Sequence, residues 1–307
     1  MAEIQRRQIK ESFGSRAFDV VNIIILALLS LVCLYPVWYV LVASVSDGNL
    51  LMQHTGGLLK PLGFSLGAYK KVFQNPMIMQ GYLNTLKILA MSMVVQLTMT
   101  AIGAYFFSRS NVMFKRPLMI LITITMFING GMIPFYQTLQ DLRLLETHLG
   151  LVIPFAISTY NMIILRTSFE SIPESLSEAA RIDGAGHFTI LFKIILPLSK
   201  SILAVMALYY GVGTWNGWFW GSTILTDRTM YPLQVVLREI IMSNDTTSMT
   251  GGISAGDVEA IGATIRYATI IVATVPILCV YPFLQKYFTK GVMAVSYTHL
   301  TLPTNRE

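Results

Sequence analysis

The sequence predicts an all-α, polytopic membrane protein, with six transmembrane helices and a short cytoplasmic helical hairpin between spans four and five. Three observations predict it. Of 307 residues, 54% are apolar and 12% charged, and mean hydropathy is +0.60; a soluble domain carries about a quarter charged residues. Apolar runs of about 20 residues, the length that crosses a hydrocarbon core, recur at 18–44, 82–108, 117–135, 149–167, 199–221 and 265–287. The basic residues cluster beside those runs and favour alternate loops.

Residues 1–17 form a polar, basic segment. The run behind it is full-length, without a short apolar core and small-residue cleavage site, so span one is an uncleaved anchor. Span two opens with Asn84 and Thr85, with Lys87 nearby. Polar groups in a span are costly unless paired; they line a path or, more economically, hydrogen-bond a neighbouring helix. Span three is broken at its outer end by NGGMIPFY (129–136), which is tolerated only when packed in protein or facing a water-filled cavity. The outer segment 222–264 is too polar to span; its apolar first part, YPLQVVLREI, dips back toward the translocation path or faces a binding protein, and SNDTTSMTGGISAGD reads most simply as a flexible surface loop. With no low-complexity linker and no evident repeat, 18–293 form one transmembrane domain. Residues 294–307 fit no element and read as an out-of-frame or assembly-derived end, with a lineage-specific extension as the alternative.

Charge sets the orientation. With the N-terminus in the cytoplasm, 14 of the 22 basic residues lie inside and 8 outside, while the acidic residues divide 8 and 8. That bias, in Lys and Arg alone, is the positive-inside rule, and it puts both termini in the cytoplasm. The net charge of +6 therefore reflects topology rather than nucleic-acid binding. Cys33 and Cys279 lie in apolar runs without partners nearby, which argues against a disulfide framework or a zinc site. His54, His148, His187 and His299 have neither metal-ligand spacing nor a nucleophile beside them.

The hairpin is SIPESLSEAARIDGAGHFTILFKIILP (171–197). Ser171 and Glu174 fit a capping box, with Pro173 in the first turn. Leu176, Ala179, Ala180 and Asp183 follow at helical spacing and give a face of small residues. Gly184 and Gly186 allow a sharp reversal. A second helix, FTILFKIIL, follows, and Pro197 marks the entry to span five. On periodicity alone an interfacial amphipathic helix that packs the bundle is the simpler account.

The residue pattern changes that weighing. Glu178-Ala179-Ala180, three residues, Gly184, nine residues and then Ile194-x-Leu196-Pro197 resembles in full the EAA signature (178–197) of ABC importer permeases. NGGMIPFY, RTSFESIPESLSEAARIDGA (166–185), LPLSKSILAV (196–205), GVGTWNGWFW (211–220) and YPLQVVLREI (231–240) resemble the carbohydrate-uptake branch, nearest the maltose-type second permease of the complex-sugar and oligosaccharide subgroup. The likeness spans about 10–293. It implies a bacterial cell-membrane protein working with a homologous second permease, two cytoplasmic ATPase subunits and an extracellular solute-binding protein. It also implies that Glu178, Ala179, Ala180, Asp183, Gly184, Ile194, Leu196 and Pro197 form a coupling helix and its flank, docking on an ATPase. There is no GxxxxGK[ST], so ATP and magnesium belong on those partners; this chain is expected to bind no cofactor and to be no enzyme.

Candidates for the sugar path are Asn84, Tyr209, Trp215, Asn216 and Trp218. TWNGWFW (214–220) concentrates three of the four tryptophans at the outer end of span five. Aromatic faces stack on the C–H faces of sugars; an interfacial aromatic belt is the bland alternative. Trp215 and Asn216 also resemble a pair shared across the carbohydrate branch, and the likeness implies that the partner permease makes most sugar contacts. Three other functions compete: an ABC permease for an amino acid, peptide or polyamine; a membrane-embedded enzyme; and a passive channel. The sugar-branch stretches oppose the first, and dependence on an ATPase separates the other two.

Overall fold

The computed structural model describes residues 13–242, 262, 264–280 and 282. These are helical and connecting segments, with one isolated bridge between Ser46 and Phe64 among them. The helices are α1 (Phe13–Ser44), α2 (Gly48–Gln53), α3 (Gly67–Gln74), α4 (Pro76–Ser108), α5 (Lys115–Ile124), α6 (Met132–Asp141), α7 (Thr159–Glu170) and α8 (Glu174–Ile182). They continue as α9 (His187–Ile190), α10 (Leu196–Leu198), α11 (Lys200–Asn216), α12 (Phe219–Ile224), α13 (Leu233–Met242) and α14 (Thr264–Val280). The described residues fall in two compact units: 13–72 with 262 and 264–271, and 73–242 with 272–280 and 282. The segments 1–12, 243–261 and 283–307, which hold the N-terminal segment, most of the polar outer loop, the end of the sixth apolar run and the tail, lie outside the described residues.

In the first unit, α1 exposes Ile23, Ile24, Ile25, Leu26, Leu28 and Leu29 at consecutive or near-consecutive positions, hence around its whole circumference. A helix apolar all round needs an apolar solvent. Its C-terminal turns pack Val42 and Ala43 with Leu51 and Leu58. The backbone that leaves α1 is held by side chains: Ser46 Oγ accepts from Leu62 N–H at 3.2 Å, and Tyr35 hydroxyl accepts from Leu58 N–H at 3.1 Å.

The second unit is built around α4, which packs α7, α11 and α13. The helix is patterned inside out. Its buried stripe includes Asn84, Thr85, Ser92, Gln96 and Thr100, while Leu83, Leu86, Val94 and Ile102 are exposed. In lipid this is the economical arrangement, since polar groups must find partners within the protein. Toward its C-terminus the stripe becomes apolar: Ala101, Ala104 and Phe107 pack with Leu165 and Phe169 of α7 and with Ile190, Ile195 and Met206. A smaller cluster of Leu139, Ile224 and Leu225 sits under Phe135 and Trp220. Beside it, Glu146 (φ +54°) accepts from the Thr226 hydroxyl and N–H and from the Asp227 N–H, which holds its carboxyl below the ordinary glutamate value.

Among the described residues two helices, α1 and α4, are long and apolar enough to cross a bilayer. Two bent pairs are also span candidates: His148–Phe155 with α7, at 50°, and His187–Leu198 with α11, at 87°. Within the run at 117–135 the helix stops at Ile124 and resumes only at Met132, where α6 begins. Asn129 Oδ1 accepts from Gly131 N–H at 2.9 Å, and Gly131 takes φ +88° just before α6. That local side-chain turn replaces helical bonding, so the break expected at NGGMIPFY falls between α5 and α6. The YPLQVVLREI stretch forms α13, with Leu233, Val235, Val236, Leu237 and Ile240 buried.

Candidate functional site

The segment singled out by its spacing folds as helix, turn and helix. Its start differs from the capping box expected. Pro173 occupies the N-cap position of α8 without a side-chain bond, and Ser171 donates back to Ser168 C=O at 2.7 Å. The proline starts the helix two residues later than that box requires, and Ser171 is left as the C-cap of α7. Glu174 Oε1 instead accepts from Ser110 hydroxyl at 2.7 Å.

α8 ends in a Schellman arrangement. Ala185 N–H reaches Ala180 C=O at 2.9 Å and Gly184 N–H reaches Arg181 C=O at 3.0 Å, with Gly184 at φ +82°. The reversal rests on Gly184 alone, because Gly186 has an ordinary φ of −77°. A Cβ on Gly184 would meet nothing within 4 Å, so conformation and not space requires glycine there. Glu178, Ala179, Ile182 and Asp183 are all exposed around this turn, and Ile182 is 87% exposed. Beyond it, residues Leu191–Ile195 form a π-helical turn that contains Ile194. α10, with Leu196 and Pro197, then leads to the sharp bend at Ser199.

The last turn of α4 and the residues after it hold both arms of this turn. Arg109, 8% exposed, donates from Nη1 to Ser177 Oγ at 3.0 Å and from Nε and Nη2 to Ser108 Oγ. Its guanidinium lies 4.9 Å from the Tyr105 ring centroid. Tyr105 hydroxyl in turn meets His187 Nδ1 at 3.3 Å. Ser177 is the one residue of α8 that is buried. At the end of α7, Glu170 accepts from Lys115 at 3.0 Å and from Arg166 at 2.9 Å.

The residues expected along a sugar path separate into groups. Tyr209, Asn216 and Trp218 line one cavity of about 450 Å³ with Phe219 and Trp220. Trp215 and Tyr209 line an adjoining, more apolar cavity of about 1140 Å³. The Trp215 indole is buried and donates to Ala273 C=O at 3.2 Å, so it ties α11 to residues 272–280. The Arg238 guanidinium stacks 3.8 Å from the Trp218 ring centroid. Asn84 lines neither cavity; it donates to Thr229 C=O at 2.8 Å and Tyr231 C=O at 3.0 Å.

Sequence reasoning missed Arg109, Gln96 and Asn161. The last two line the 450 Å³ cavity and are buried. The rule that drew attention to Asn84, a polar group inside an apolar run, applies equally to Gln96 and would have found it. Arg109 reads in sequence as one more inside charge.

Residues 98–294 match the family described as binding-protein-dependent transport system inner membrane component. The chain is 36% identical over 293 residues to Protein LplC of Bacillus subtilis (strain 168), covering 95% of this chain and 98% of that one. It is 35% identical to the polygalacturonan/rhamnogalacturonan transport system permease protein YtcP of the same organism, covering 91% and 97%. A chain from the crystal structure of a bacterial ABC transporter involved in import of the acidic polysaccharide alginate superposes with a TM-score of 0.82. That chain is 33% identical to this one, and the match covers 91% of this chain and 99% of the other.

Proposed function

This chain belongs to the binding-protein-dependent transport system inner membrane components, and from that premise we infer that it is a permease subunit of an ATP-driven carbohydrate importer, with oligosaccharides or other complex sugars as cargo. The relatives' names support carbohydrate over an amino acid or peptide. The observation that carries the coupling role is the exposed turn at Gly184, which presents Glu178, Ala179, Ile182 and Asp183 outward from a helix fixed on its other side by Ser177.

In this reading the turn docks on one of two cytoplasmic ATPase subunits, which hold ATP and magnesium. A homologous second permease completes the translocation path, and an extracellular solute-binding protein delivers the sugar. Closure of the ATPase pair moves α8, and the spans change between inward- and outward-facing arrangements. We place the chain in the bacterial cell membrane with six crossings and both termini cytoplasmic. Residues 18–293 are then its transmembrane domain.

The test is copurification of the detergent-solubilised complex with its ATPase subunits, wild type against Gly184→Asp. An aspartate at φ +82° strains the turn and puts a charge at its apex. We expect ATPase recovery to fall at least tenfold while the permease remains inserted. Equal recovery from both would remove the docking role.

A further inference from the structure

We propose that this chain itself carries a saccharide subsite, in which the Asn161 carboxamide binds hydroxyls of a neutral sugar unit seated against the aromatic wall of the 450 Å³ cavity. Asn161 is 7% exposed and lines this cavity as well as its apolar neighbour. Its backbone N–H is capped by Ser158, but its side chain makes no hydrogen bond among the described residues. Gln96 is 6% exposed; its Nε2 donates to Phe155 C=O at 3.1 Å, and its Oε1 is buried without a partner.

Buried amides without partners are costly and rare in native proteins. Gln96 Oε1 carries that cost behind the cavity wall, whereas the Asn161 carboxamide, with no partner among the described residues, reaches the cavity itself and is placed to meet a ligand there. A nearby contrast supports this: Tyr210 hydroxyl, also on the cavity, is fully engaged, with Thr100 at 2.6 Å and with Ser158 N–H donating to it at 3.1 Å.

The lining chooses the ligand class. Tyr209, Trp218, Phe219 and Trp220 offer ring faces, Asn161 and Asn216 offer amides, and among the described residues no carboxylate, ammonium or guanidinium lines the cavity. Amides supply donors and acceptors together, as hydroxyls do, and so match a polyol with apolar C–H faces. The volume falls within the roughly 300–1,000 Å³ range of small-molecule sites. The subsite rests on the carbohydrate reading above and adds to it that this subunit, not only its partner permease, holds sugar.

The experiment uses the whole complex in liposomes with its binding protein, and measures uptake of cellobiose, galactobiose, maltotriose and digalacturonate. It compares wild type with Asn161→Leu and Asn161→Ala, recording thermal unfolding and ATPase copurification for each. An amide that serves only a ligand is dispensable to the fold. We expect both variants to keep Tm and ATPase recovery, and to raise KM for the transported neutral sugar at least tenfold. If leucine overpacks and lowers Tm, the alanine variant decides. Unchanged KM overturns the subsite, as does a matching loss of Tm and ATPase recovery in the alanine variant, which marks a structural residue. Uptake confined to digalacturonate overturns the neutral ligand while leaving the carbohydrate reading intact. Uptake of none of the four by wild type counts against the carbohydrate reading itself.

Discussion

At the scale of single residues, Arg109 is the side chain that holds α8 and the turn at Gly184 to the end of α4. A guanidinium that is 8% exposed carries a desolvation cost. Among the described residues no carboxylate answers it; two serine hydroxyls and the Tyr105 ring do. Such an arrangement holds a position rather than adding net stability, because the charge tolerates no other partner nearby. Replacing Arg109 by Gln removes the fork and frees Ser177. Hydrogen bonds to charged groups contribute about 1.5–3 kcal/mol each, so α8 should be held less tightly to α4. We expect uptake to drop tenfold or more with ATPase copurification retained, and Arg109→Lys to recover only part of it. Full uptake by the glutamine variant would show that Arg109 has no part in transmission.

At the scale of elements, α4 organises the second unit through one face. Gly81, Asn84 and Thr85 stand at helical spacing and form the seat of α13. A Cβ on Gly81 would lie 3.1 Å from Leu233 Cα, so the backbones approach closely there. Asn84 holds the two carbonyls before α13, and Thr85 Oγ1 accepts from Leu233 N–H at 2.8 Å, satisfying an orphan donor of its first turn. Thr85→Val preserves shape and leaves that buried N–H unpaired. We expect a loss of about 1–3 kcal/mol, read as a lower unfolding midpoint in detergent. An unchanged midpoint would mean that α13 is held by its apolar face alone. The sequence exposed the polarity of Asn84 and Thr85 but not their partners, which lie some 145 residues away along the chain.

For the whole molecule, the charge bias makes a topological prediction that reaches every loop. Asn111 should lie in the cytoplasm and Asp141 outside, both exposed. In a background with Cys33 and Cys279 changed to serine, a membrane-impermeant thiol reagent on intact cells should label Asp141→Cys and spare Asn111→Cys. The reverse pattern would invert the protein, and labelling of both would break the six-span arrangement. Long apolar runs were readable because hydropathy needs no partner to interpret: α1 and α4 stand where two of them lie. Breaks were readable only in part. NGGMIPFY announced its own, whereas the 87° bend at Ser199 left little trace beyond Pro197.

By itself the sequence determined the membrane class, the orientation bias, the all-helical composition and the position of the turn at Gly184. Each of these depends on local chemistry: transfer of apolar side chains, charge beside a span, or a backbone conformation that glycine adopts freely. Only the tertiary structure decided what the polar residues do. It gave Asn84 and the Trp215 indole their backbone partners, made Arg109 a buried tether, and left the Asn161 carboxamide without a partner among the described residues on a cavity. The physical reason is that a polar side chain in an apolar helix must find a partner, and whether that partner is backbone, side chain or ligand depends on which distant segment packs against it.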